Sequence, residues 1–355
     1  EAQTKQRVTP DLPMPLPSRP TLFNTDHHFH HLLTSGSSPL VLSGLCGSAP
    51  ALVITELALH SKRQLLVVTA NQATADELTR ELVFCETRQL TTFPAWEGLP
   101  FSTTSPATDI SGARLETLLR LQQSAPAVVV VPLPALMQRI IPRSVLGNVA
   151  CSLAPGDELD RDQFMAQLVR LGYTPAPLVE ERGSCAVRGG ILDLFPPSEP
   201  RPVRIELFGD TIETLRSFDP LSQRSLEPLE RLTLLPSREL VLTPEMLAAF
   251  LPRLKARADE LDLPADRRRL LAEELQGSIF PDGVEYLQPL FHPGLETLFD
   301  YLDAPLVVLV DPAALEQSSQ QLVSDLLLGT EKAHSDGRLY PLPAELYLTP
   351  DELTG

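Results

Sequence analysis

Several things are scarce in this chain of 355 residues, and each scarcity excludes something. Apolar runs such as Ala127 to Val131 and Leu306 to Val310 are far below the roughly 18 residues needed to cross a bilayer, so no transmembrane helix is expected. The first 20 residues hold Lys5 and Arg7 followed by prolines rather than an apolar stretch, so no secretory signal is expected and a cytoplasmic protein is. Cys46, Cys85, Cys151 and Cys185 are scattered, with no C-x-x-C pair and no histidine at ligand spacing. They read as reduced, structural thiols. Basic residues are outnumbered by acidic ones, 29 to 46, for a net charge of −17, and they form no long basic run. Such a chain repels phosphate backbones and is expected to bind DNA little or not at all unaided. Only four of the 29 basic residues are lysines. Arginine suits interfaces better, being planar and bidentate, but a GC-rich genome gives the same bias, so position has to decide.

What is present is the apolar content of a folded protein, 43% hydrophobic, at a length that suits two or three domains. Residues 1–20 carry five prolines and read as a flexible leader. From Thr21 helices and strands alternate. Leu40 to Ser43, Leu65 to Thr69 and Ala127 to Val131 are predicted as buried strands, and Ala51 to His60, Ala73 to Phe84 and Gly112 to Gln122 as helices. Short apolar strands alternating with helices imply an α/β domain with a parallel sheet, here 21–148.

The pattern then changes. Asp160 can cap a helix that runs to Leu171 and stops at Gly172, and the stretch from Cys185 to Leu235 reads as consecutive strands. Among them Val203 to Phe208 and Thr211 to Phe218 flank Gly209-Asp210, a two-residue hairpin turn. This predicts an α+β module inserted at 149–237. Helices at Pro244 to Asp259 and Arg267 to Leu275, a buried strand at Leu306 to Val310 and a helix from Ala313 to Leu328 make up 238–355, expected to pack back on the first domain.

Directly after the first predicted strand, Ser43-Gly44-Leu45-Cys46-Gly47-Ser48-Ala49-Pro50-Ala51 stands where a P-loop would. The template G-x-x-x-x-G-K-[ST] needs its second glycine for an anion nest, its lysine for the β- and γ-phosphates and its hydroxyl for Mg²⁺. Aligned on Gly44, those places hold Ala49, Pro50 and Ala51, so a degenerate loop is expected, with neither nucleotide nor other cofactor. Val310-Asp311-Pro312 offers one carboxylate where a Walker-B strand would offer two, and reads as a plain strand exit. His27, His28, His30 and His31 are too close in sequence to converge on a metal, Ser48 lacks the G-x-S-x-G elbow, and Glu180-Glu181 and Glu273-Glu274 read as solvated faces. No catalytic residues are expected.

Phe93-Pro94-Ala95-Trp96-Glu97-Gly98-Leu99-Pro100-Phe101, with Ser105-Pro106, Asp109-Ile110 and Arg114-Leu115, resembles a signature of the transcription-repair coupling factor family (Mfd). The stretches Ala186 to Pro196, Val203 to Phe208 and Ser217 to Asp219 resemble the module that this family shares with the excision-repair protein UvrB, and Gly283 to Phe291 completes the series. The resemblance covers about 21–355. It implies the N-terminal, UvrB-like part of such a factor: a degenerate RecA/helicase-like α/β domain carrying an inserted, UvrB domain 2-like module that recruits UvrA in transcription-coupled nucleotide-excision repair. The missing P-loop groups and the short connection from Leu99 to Asp109 favour this family over UvrB itself. The family's RNA-polymerase-binding and motor regions have no counterpart here, and in the family the UvrA surface is masked by the rest of the protein.

Period two puts Val203, Ile205 and Leu207 on one face of their strand, read as core, and Arg204, Glu206 and Phe208 on the other, read as a solvent side where an aromatic and an arginine could anchor a partner. By resemblance Arg188, Arg204 and Phe208 match residues that the family uses to bind UvrA. Phe218 is a secondary candidate: pairing Leu207 with Ile212 would turn it to the buried side. The alternative function is a UvrB-like or helicase-like nucleotide-dependent DNA enzyme with an unusual phosphate site. Residual DNA contact through Arg267-Arg268-Arg269 is a minor third reading.

Overall fold

The structure, a computed structural model, describes residues 39–354 apart from 88, 124–126 and 293. The expected leader at 1–20 and His27, His28, His30 and His31 lie outside the described residues. Among the described residues no helix is long and apolar enough to cross a membrane.

The first unit alternates as its periodicity demands. It runs α1 (Ala49–His60), β1 (Leu65–Thr69), α2 (Gln72–Phe84), β2 (Leu90–Thr92), α3 (Thr108–Gln122) and β3 (Val128–Pro132). Every residue of β1 and β3 is buried, which is why each reads as four Leu or Val residues in a row, closed by Thr69 and Pro132 respectively. β3 lies parallel to both β1 and β2, with Val130 opposite Val67 on one side and Thr92 on the other. Asn71 starts α2 by accepting a hydrogen bond from the Thr74 amide at 3.0 Å. β2 escapes sequence reading because it is three half-buried residues, two of them threonine.

The inserted unit comprises β4 (Cys151–Leu153), α4 (Arg161–Arg170), β5 (Thr174–Pro175), β6 (Ser184–Arg188), β7 (Ile191–Leu194), β8 (Val203–Phe208), β9 (Thr211–Phe218), β10 (Ser225–Pro228) and β11 (Leu232–Leu234). Asp160 caps α4 by accepting from the Gln163 amide at 2.8 Å, and Gly172 follows the helix at φ +87°. Strands β5 to β10 form one sheet in the order β10-β9-β8-β7-β6-β5, antiparallel except for the short β5–β6 pair. β4 pairs antiparallel with β11, Leu153 opposite Leu232 and Cys151 opposite Leu234, so the two ends of the insertion are joined. Leu168, Val203, Ile205, Ile212 and Leu215 pack between α4 and the sheet.

The hairpin turns at Gly209, φ +62°, and pairs Leu207 with Ile212. One step later the register shifts: Glu206 faces Thr214, which leaves Glu213 as an extra residue. This bulge exchanges odd and even positions along β9. Leu215 and Ser217 therefore share the core face with Ile205 and Val203, whereas Phe218 turns to the opposite face.

In the remaining segment α5 (Pro244–Glu260) and α6 (Ala265–Gln276) pack with Val284–Phe291, and the Phe250 and Phe291 rings stack at 4.0 Å. Then β12 (Leu306–Leu309) pairs parallel with β1, giving the sheet order β12-β1-β3-β2; as an edge strand it leaves Val307 and Leu309 exposed rather than buried as expected. Another expectation is corrected: Leu40 to Ser43 is not a strand, and Val41 is 82% exposed. Helix α7 (Pro312–Ser335) also outruns the expected end at Leu328. It continues through Gly329, where a Cβ would collide with the Pro100 carbonyl, so the glycine marks a close approach rather than a stop.

The signature residues meet where these pieces join. Trp96 Nε1 donates to Glu239 Oε1 at 2.6 Å, and Arg114 Nε donates to the same oxygen at 2.8 Å. The Arg114 guanidinium lies over the Phe93 ring at 4.1 Å and also donates to the Pro94 carbonyl. Tyr286 meets Trp96 edge to face at 5.2 Å. Nearby, Glu285 accepts from Ser105 Oγ at 2.7 Å and from Arg238 at 2.6 Å. The polar residues of the signature thus tie the parallel-sheet unit to the segment leaving the insertion and to the 283–291 turn.

Candidate interaction face

The six-stranded sheet has one face in the core beneath α4. The other carries, in cross-strand rows, Ala186, Asp193, Arg204 and Arg216, then Arg188, Ile191, Glu206 and Thr214, and at the hairpin end Phe208 and Thr211. Three arginines on one sheet face in a chain of charge −17 is a local reversal of sign.

Asp193 is the centre of this face. It is 1% exposed and stands directly opposite Arg204 in the β7–β8 pair. Arg204 Nε donates to Oδ1 at 2.7 Å and Nη2 to Oδ2 at 2.9 Å, a bidentate pair; Arg188 Nη2 reaches Oδ2 as well, at 2.7 Å. The hydrogen bond to Asp193 raises the Arg204 pKa above its ordinary value. Arg204 Nη1 donates to the Gln223 carbonyl at 3.2 Å and to Ser225 Oγ at 3.4 Å, and the guanidinium covers the Phe218 ring at 4.8 Å. Thr214 donates to Glu206 Oε2 at 2.7 Å.

The four residues expected to meet a partner therefore differ. Phe208 is 80% exposed at the hairpin tip, and the Arg188 side chain is 45% exposed. The Arg204 side chain, expected on a solvent side, is only 11% exposed, because its cross-strand partner is a carboxylate and Phe218 lies beneath it. Phe218 is fully buried, but among Val179, Ala186 and Phe195 on the arginine face rather than in the core under α4. Sequence reasoning missed Asp193. The signal was a lone carboxylate inside Ile191-Leu192-Asp193-Leu194, an apolar strand that needs a cation opposite it.

The loop before α1 has different geometry. Gly44 and Gly47 hold positive φ, +77° and +56°, and α1 begins at Ala49 with Pro50 in its first turn and Ala51 buried. Ser48 does not cap the helix through its side chain; its hydroxyl donates to Glu81 Oε1 at 2.8 Å. That puts a carboxylate beside the helix start, where a phosphate would have to sit. Asp311 accepts from the Ala314 amide at 3.2 Å and so caps α7. In the Arg267-Arg268-Arg269 cluster, Arg267 donates to the carbonyls of Asp336 and Gly337, Arg268 pairs with Asp259, and Arg269 lies near Asp266 and Glu273. All four cysteines are free, and burial pushes the Cys185 thiol up to about 11.

Residues 151–240, the unit that carries this face, match the UvrB interaction domain family. Along its length the chain is 34% identical to the transcription-repair-coupling factor of Myxococcus xanthus over 325 residues, which is 87% of this chain and 27% of that protein. It is 34% identical to the factor of Escherichia coli K12 over 316 residues and 32% identical to that of Haemophilus influenzae over 315, in both cases 88% of this chain and 27% of the relative. The chain thus spans about 27% of the length of these curated relatives. It is a homologue of the transcription-repair-coupling factors over a stretch that carries a UvrB interaction domain.

Proposed function

We propose that this chain is a non-catalytic recruitment module of transcription-coupled nucleotide-excision repair. Residues 151–240 bind UvrA, and the parallel-sheet unit, a degenerate RecA/helicase-like platform, carries them. The observation that supports this most is that Phe208, 80% exposed, and the half-exposed Arg188 lie on the same sheet face of the unit that matches the UvrB interaction domain. Exposed aromatics and arginines are the residue types that anchor protein interfaces. Phe208 fills an apolar pocket of UvrA while the arginine face meets its acidic or carbonyl groups.

The absence of catalysis is part of the proposal. Ala49, Pro50 and Ala51 stand where phosphate chemistry needs glycine, lysine and a hydroxyl, and Glu81 sits at the start of α1. RNA polymerase engagement and the ATP-driven motor then belong to the remainder of a longer protein, which also masks the UvrA face until it is needed. Calorimetric titration with purified UvrA tests the reading. The unmutated chain binds in the micromolar range or tighter and the Phe208→Ala variant loses binding; an unmutated chain that binds no UvrA overturns it.

A further inference from the structure

We infer that Asp193 is the positioning residue of the UvrA-binding face, and that it presets Arg188 to take a carboxylate of the partner. The inference rests on the recruitment reading above and deepens it. Arg204 and Arg188 act differently on this face. Arg204 directs its donors within the chain, to both oxygens of Asp193, to the Gln223 carbonyl and to Ser225. It anchors Asp193. Arg188 gives a single N–H to Asp193 Oδ2 and keeps its other donors, on a side chain nearly half exposed.

The free donors of Arg188 fix the chemistry of the partner group. Asp193 is shared by two guanidinium groups, Glu206 is engaged by Thr214 on the same face, and the outer arginine carries the free donors. A planar guanidinium with free donors matches a carboxylate bidentately. The backbone around Arg188 is held too: it pairs with Ile191 across the turn, Gly189 takes φ +61°, and Leu207 N donates to the Gly190 carbonyl at 2.8 Å. With its backbone fixed by that turn and its tip by Asp193, the long arginine side chain is ordered before the partner arrives. Pre-ordering one such side chain strengthens association by roughly three- to tenfold.

The test is a double-mutant cycle read as UvrA affinity by calorimetry. Asp193→Asn weakens binding by about three- to tenfold in the unmutated background, and costs nothing further in an Arg188→Ala background, because the group it positions is gone. A residue needed only for folding would cost the same in both backgrounds, and that result overturns the inference. Unaltered affinity in Asp193→Asn, with Phe208→Ala still weakened, overturns it and leaves recruitment standing. Absence of binding by the unmutated chain overturns recruitment itself. Should Asp193→Asn not fold, Asp193→Asn with Arg204→Met removes the buried pair together and frees Arg188. It shows the same loss, again abolished by Arg188→Ala; equal loss in both backgrounds overturns the inference.

Discussion

Arg114 on α3 and Glu239, just beyond the inserted unit, form an ion pair at 2.8 Å with both side chains fully out of solvent. The two are 125 residues apart, so the pair closes the whole insertion like a clasp. Trp96 shares the same carboxylate oxygen. A buried pair of this kind is strongly destabilising to break, because the partner is left as an uncompensated buried charge.

Glu239→Ala is therefore expected to cost about 3–5 kcal/mol of unfolding free energy in urea titration. Arg114→Met combined with Glu239→Leu should cost less than either single change, since no lone charge remains. An additive outcome would show that the two side chains do not act as a pair.

Phe208 is mostly exposed and holds no core together. Phe208→Ala should leave unfolding free energy within about 0.5 kcal/mol of the parent while UvrA binding in calorimetry is lost. A large drop in stability would place Phe208 in a local core instead.

Arg204→Ala should behave otherwise. It leaves Asp193 buried with only Arg188 and uncovers Phe218. A loss of about 2–3 kcal/mol is expected in the same urea titration. Lost UvrA binding in this variant must then be read beside its lost stability.

His292 is buried next to Arg253, and burial first, the Arg253 charge second, lower its pKa to about 4. The folded chain binds this proton less readily than the unfolded chain. The stability linked to His292 is therefore complete above about pH 6.5 and is lost as pH falls towards 4, amounting to about 3 kcal/mol at most. Melting temperatures measured between pH 7 and pH 4 should fall less steeply in His292→Gln than in the parent.

Saturating ATP with Mg²⁺ should leave the melting temperature unchanged, since a ligand that binds only the folded state raises it. An upward shift would favour the nucleotide-dependent alternative and direct attention back to the loop before α1.

Local features were legible in the order of the amino acids alone. Apolar runs and their periods placed β1, β3, β8, β9 and the main helices, Asp160 and Gly172 set the limits of α4, and Gly209-Asp210 set the hairpin turn, because each depends on neighbouring residues. The exposed edge residue Phe208 was legible from alternation in the same way.

Features that depend on partners distant along the chain were decided by the tertiary structure. Leu40 to Ser43 has strand composition, yet it joins no strand of the sheet and Val41 and its neighbours stay exposed. The extra residue at Glu213, the burial of Arg204 against Asp193 and the junction of Trp96 and Arg114 on Glu239 were likewise settled only by folding. The physical reason is the same in each case. Period and turn chemistry act over a few residues, whereas the choice of which carboxylate meets which arginine, and which strand fills an edge, is made by the packing of segments that the chain brings together from far apart.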